Sequence, residues 1–500
     1  MSLTHIDVVD CLPLKKVKLA IQCHKWGLMS LLLPLLVRAA PEVLVGPYPV
    51  GFDPIAFYIP ITLDWSSGGT GALTILGTSP LLFLFTVPVY SLTGVNPVWI
   101  FKILGPLLYG FMVCALYRFL RFGLAWPERS SLLCALFTSI YFVTLSIGWG
   151  LFRTVLGLTF LLLLIPFFTQ QKPDDRPIVQ ALLLILTIVS DQLTGILAVL
   201  IVGSLIVWDI THANLHGAKR LFPQFLIAAL TLAIVAYSFF VYPSNYFPLP
   251  PLSQTIWGLS SDLVFIPYAF LPLLPFLLLG MRRGTSLEMN LWILICSCLA
   301  LICALPFAIF RETSYRWTLL MDIPLCIISF GAFEKLLSSV RIARAGLARH
   351  LARISSPSFF IVMAMLYLLL PANIAMPYFT LFPDFVPSSM VQNTVPSYDM
   401  NSVVQSLNWI ASHSGQGTAL ITHQAIYGWA RAFFPFRSEI VNYQFANPQS
   451  GASQALSLGY SRIYAIWWVQ GSGWYNYPSM GSGFVPVHVE GDIAVYLYTT

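Results

Sequence analysis

The chain reads as a series of apolar runs separated by short polar breaks. Most runs hold about 17–22 residues, the length of helix that crosses a bilayer core of about 30 Å. They fall at roughly 19–41, 97–117, 131–148, 150–168, 178–190, 192–208, 222–242, 263–281, 289–310, 315–334 and 357–376. This pattern predicts a polytopic α-helical membrane protein with about 11 transmembrane helices. A further apolar stretch, 73–93, is interrupted by Gly77, Pro80 and Pro88 and is followed by Gly94. It reads as a hairpin or re-entrant element beside the membrane. Counting it as a span would carry Arg118, Arg121 and Arg129 to the outside, against the positive-inside rule. The stretch 178–208 is divided by Ser190-Asp191-Gln192, and that division keeps Lys219, Arg220, Arg282 and Arg283 inside.

From about residue 377 the pattern changes. Short β-type runs at 420–422, 440–442, 462–468, 484–489 and 493–498 alternate with helical stretches at 403–412 and 425–433. A small C-terminal α/β domain over 377–500 is expected, after a transmembrane domain over 1–376 that includes a long first outer loop, 42–96.

Composition agrees with a membrane protein: 57% of the 500 residues are hydrophobic and 9% charged, with a mean hydropathy of +0.77. A soluble fold has no means of hiding that much apolar surface. The formal charge of +6 is dispersed between the spans, so no nucleic-acid partner is expected. Most basic residues fall in six regions on one side, at 15–25, 118–129, 172–176, 219–220, 282–283 and 335–353. That asymmetry predicts a multi-pass protein of the cell membrane with a cytoplasmic N-terminus and an extracytoplasmic C-terminal domain. None of the eight cysteines lies in the C-terminal region, so a disulfide framework is not expected there.

The remaining charges carry the chemistry. Arg38, Lys102, Arg153, Arg311 and Arg316 map to the outer ends of spans, together with the acids Asp53, Asp64, Asp191 and Glu312. A charge at membrane depth costs at least about 2.5–3.5 kcal/mol on the insertion scale, so each is a candidate functional residue. Arg38 and Lys102 read either as phosphate ligands or as side chains that snorkel to the headgroups. Arg153 has the fork geometry to hold a phosphate. Glu312 and Arg316 stand four apart, in the order that favours a helical pair, which leaves Arg311 to bind an anion. Asp322 lies further along the same span, as a cavity residue or as one bonded to a neighbouring helix.

An outer carboxylate among several arginines suits transfer of a sugar from a polyprenyl-phosphate donor. The cations neutralise the leaving phosphate, and one carboxylate serves as general base for the acceptor hydroxyl. Asp53, in Gly51-Phe52-Asp53-Pro54, is the first candidate base, with Asp64 as its rival. The layout resembles the GT-C superfamily of membrane glycosyltransferases. Gly51-Phe52-Asp53-Pro54 resembles the family's acidic site in the first outer loop, and Ser79-Pro80-Leu81-Leu82 its proline-leucine element. Ser190-Asp191-Gln192-Leu193-Thr194 resembles a polar break between two mid-chain spans. The resemblance implies a polyprenyl-phosphate-linked sugar donor, membrane lipids as surroundings, and a lipid, glycan or protein acceptor. Two family motifs are absent. Trp467-Trp468-Val469-Gln470 has no acid, and Asp53 and Asp64 do not form an acid pair with one intervening residue. No cofactor is therefore expected, with a divalent metal left open. The alternatives are a lipid or glycan transporter or flippase, and a lipid-linked glycan ligase.

Overall fold

The computed structural model describes residues 12–44, 46–68, 71–169, 176–242, 259–271, 273–281, 286–305, 313–343, 395–396, 398–444, 446–469 and 480–499. Helix α1 (Leu12–Leu44) packs along α5 (Pro97–Arg118). Gly110 permits the close crossing, because a Cβ there would sit 2.8 Å from the Leu31 carbonyl oxygen. Between these helices lie a π-helical turn (Pro54–Tyr58), α2 (Ile59–Ser66), α3 (Ala72–Gly77) and α4 (Leu81–Thr93).

After a second π-helical turn (Phe119–Gly123) come α6 (Glu128–Ile140) and α7 (Phe142–Gly150), bent by 67° where Tyr141 breaks the helix. Next are α8 (Phe152–Leu164), the one-turn α9 (Pro166–Thr169), α10 (Pro177–Ser190), α11 (Gln192–Thr211) and α12 (Leu215–Val241). The series closes with α13 (Leu259–Phe270), α14 (Leu274–Met281), α15 (Leu287–Ala304), α16 (Ser314–Leu320) and α17 (Asp322–Ala343).

Among the described residues five helices are long and apolar enough to cross a membrane, or six if the bent α6–α7 pair counts as one. The other stretches expected as spans take a different form. The runs at 150–168 and 178–190 are shorter apolar helices. Those at 263–281 and 315–334 are each divided in two, at 271–273 and at Met321. The run at 357–376 lies outside the described residues. The break at Asp191 is present: its backbone is extended (φ −156°, ψ 131°), and its carboxylate accepts from the Thr194 N–H to cap α11. The stretch 73–93 is likewise two helices, neither long enough to span.

The C-terminal region builds α18 (Met400–His413), β1 (Thr418–His423), α19 (Gln424–Phe433), β2 (Ile440–Gln444), α20 (Pro448–Ser457), β3 (Arg462–Trp468), β4 (Phe484–Glu490) and β5 (Ile493–Tyr498). The sheet order is β2-β1-β3-β5-β4. Strand β1 runs parallel to β2 and β3, while β5 is antiparallel to β3 and β4. The central strands β1 and β3 are almost wholly buried, which explains their near-continuous apolar runs. The expected boundary at 377 lies outside the described residues.

This region docks on the first loop through α19. A Cβ on Gly428 would lie 2.5 Å from Ala56 Cα, so only glycine fits that contact with the π-helical turn. Trp429 and Phe433 meet Tyr48 edge-on, at 5.3 and 5.5 Å between ring centroids. Asp64 accepts from Arg431 at 2.6 Å and from Arg437 at 2.8 Å. Replacing Asp64 with alanine leaves two arginines facing each other at this seam. The expected result is a loss of about 1–3 kcal/mol and easier release of the C-terminal region by limited proteolysis of the full-length protein.

Candidate functional site

Two buried cations shape the segment that leads to Asp53. Arg38 pairs with Glu42 at 2.7 Å, and its Nε donates to the Gly148 carbonyl at 2.9 Å. Its Nη2 reaches the carbonyls of Val50 and Trp149, each at 3.4 Å. Lys102 Nζ donates to the carbonyls of Glu42, Gly46 and Tyr48 at 2.6, 2.8 and 3.0 Å, which uses all three ammonium hydrogens. Glu42 completes the clamp by accepting from the Val50 N–H at 3.0 Å. The outcome differs from the expectation that Arg38 and Lys102 bind phosphate or snorkel. Both are buried, and their donors hold the chain's own backbone.

The clamp presses Gly51 against α7. Its φ is +112°, and a Cβ would lie 2.0 Å from the Trp149 carbonyl oxygen, so no other residue is tolerated there. A Glu42→Gln variant removes the charge that both cations share. We expect it to cost about 3–5 kcal/mol, read as a lower melting temperature in detergent.

Two residues past Gly51, Asp53 precedes the π-helical turn and is buried. Tyr58 Oη donates to Asp53 Oδ2 at 3.3 Å. In an α-helix, positions five apart point in different directions. The wider π turn brings them together, which is why sequence periodicity gives no hint of Tyr58. Asp53 also lies in the electrostatic field of Arg316, Arg153 and Asp191, which come from three separate helices or helix ends. Arg153, on the first turn of α8, donates from Nη1 to the Thr78 carbonyl at 2.6 Å. Gln192 Nε2 donates to the neighbouring Gly77 carbonyl at 2.5 Å. Gly157, one turn beyond Arg153, lets α8 approach the α11 cap: a Cβ there would lie 2.1 Å from Thr194 Oγ1 and 3.3 Å from Asp191 Cβ. Arg316 Nε lies 3.3 Å from Tyr315 Oη.

Four of the residues singled out in the sequence therefore share one electrostatic neighbourhood: Asp53, Arg153, Asp191 and Arg316. The others do not join them. Asp64 sits at the seam with Arg431 and Arg437. Asp322 accepts from Thr144 on α7 and from Cys326 at 3.5 Å, which makes it a bond between helices. Arg311 and Glu312 lie outside the described residues. Among the described residues, no cluster of three or more His, Cys, Asp or Glu side chains is grouped as a metal site would require.

Burial holds the Asp53 carboxyl above the ordinary aspartate range, and Arg316, then Arg153, pulls it back down. Arg316→Gln removes the stronger pull. The Asp53 pKa should then rise further, visible as a protonated-carboxyl infrared band that persists to higher pH and is absent with Asp53→Asn.

No protein-family model matches the chain, and no curated protein is similar to it in sequence. The fold is similar to that of ArnT from Cupriavidus metallidurans, solved in a crystal structure bound to undecaprenyl phosphate. The TM-score is 0.54 with 14% sequence identity, over 95% of this chain and 98% of ArnT. At this identity the likeness shows the fold: nearly the whole chain is arranged as in ArnT.

Proposed function

We propose that the protein is a membrane glycosyltransferase that moves a sugar from a polyprenyl-phosphate donor to an acceptor hydroxyl at the extracytoplasmic face. The observation that carries this reading is the buried Asp53 carboxyl set in the field of Arg153 and Arg316. The likeness to a fold solved with a polyprenyl phosphate supports the class of donor.

In the proposed reaction Asp53 takes the proton of the acceptor hydroxyl as its oxygen forms a bond to the anomeric carbon. The bond from that carbon to the phosphate oxygen breaks, and the phosphate leaves with the electron pair. Arg153 and Arg316 offset the charge that grows on it, with Arg311 as a third cation. A single displacement inverts the configuration at the sugar carbon. With guanidinium groups supplying positive charge, the scheme assigns no step to a metal. Asp191 fixes the α11 cap beside the arginines.

Asp53 must be ionised to act as base. Its raised pKa therefore sets the low-pH limb of activity above the range of an ordinary aspartate. With a labelled polyprenyl-phosphate sugar as donor, Asp53→Asn is expected to lose about 10²–10⁴ in transfer rate. Equal rates for the native protein and this variant would remove Asp53 as the base.

A further inference from the structure

The turn Thr78-Ser79-Pro80, between α3 and α4, contains a serine in an unusual state. Ser79 adopts φ +57°, the left-handed region that a side chain disfavours and that glycine enters freely. The proline that follows biases the preceding residue toward extended backbone, which adds to the strain. Ser79 is fully buried, and its Oγ has no hydrogen-bond partner among the described residues. A buried hydroxyl is costly without a partner, and glycine or alanine would avoid that cost.

The surroundings point to an anion. Ser79 stands two residues before the first residue of α4, a 13-residue helix. The leading N–H groups of a helix have no partner within it, and its N-terminus carries about half a positive charge. Here those groups belong to Leu81 and Leu82, because Pro80 has no N–H. The same turn is tied to the candidate site: Arg153 holds the Thr78 carbonyl and Gln192 the Gly77 carbonyl. Gly77 itself is wedged against α12, where a Cβ would lie 2.8 Å from the Phe239 nitrogen. The strained turn is thus anchored from three directions.

We infer that the Ser79 hydroxyl and the N-terminus of α4 bind the phosphate of the lipid-linked donor, next to Arg153. This deepens the proposed function and rests on it. The hydroxyl donates to a phosphate oxygen, and the α4 amides and the Arg153 guanidinium share the charge.

The test measures binding of a sugar-free polyprenyl phosphate to full-length protein in detergent, for the native chain, Ser79→Ala and Ser79→Gly. Both variants should bind about tenfold or more weakly, as expected for loss of a hydrogen bond to a charged group. Ser79→Gly should melt no lower than the native protein, because glycine accepts the turn without strain. Polyprenol lacking the phosphate should bind all three alike. Native-like affinity of both variants for the lipid phosphate would overturn the inference, as would an equal loss for polyprenol. Inorganic phosphate that competes as well as the lipid phosphate would make a free anion the ligand and overturn the lipid assignment. A native protein that fails to bind polyprenyl phosphate would overturn the proposed function itself.

Discussion

The Glu42 carboxylate, shared between Arg38 and Lys102 in a buried clamp, is the interaction on which the rest of the structure depends. Two cations inside the protein are tolerable only because a carboxylate and six backbone carbonyls receive their donors. The clamp sets the path of residues 46–51, and that path delivers Asp53 to its π-helical turn. It also presents Tyr48 to Trp429 and Phe433, so the C-terminal region is seated by the same segment. Charge burial here organises the loop.

The candidate site itself is assembled where helices are interrupted. Asp53 precedes a π-helical turn, Asp191 separates α10 from α11, Arg153 opens α8, and Arg316 lies on the short helix before α17. Helix interiors satisfy their own backbone groups and offer little to a ligand. Interrupted helices expose amide and carbonyl groups and bring side chains from distant parts of the chain to one place. Gly157 and Gly77 let the neighbouring helices close around those breaks.

Much of this was legible in the sequence, and for identifiable reasons. The polar break at Asp191 stands out in an apolar run, and strand β3 was readable from Arg462 to Trp468 because a buried strand is a continuous apolar stretch. Helix α20 was not foreseen, since its small polar residues show no apolar stripe; only Asn447-Pro448, a cap followed by proline, marked its start. Arg153 and Arg316 are out of place by charge alone, and both act on the charge of Asp53. Arg38 and Lys102 carry the same signal, yet they clamp backbone. Hydropathy shows that a charge is buried; which partner compensates it depends on contacts more than a hundred residues apart, such as Arg38 with Gly148. Tyr58 gave no signal, because a π turn breaks the periodicity from which sequence is read, and Ser79 stood out only as part of Ser79-Pro80-Leu81-Leu82, with nothing to mark its left-handed backbone.

The most direct test of the account is a structure of the protein determined with a polyprenyl phosphate bound. The expected result is a phosphate whose oxygens lie within hydrogen-bonding reach of Arg153 and Arg316, with Asp53 open to the side from which an acceptor approaches. A phosphate bound instead at the Arg38–Lys102 clamp, or at the Asp64 seam with Arg431 and Arg437, would contradict it.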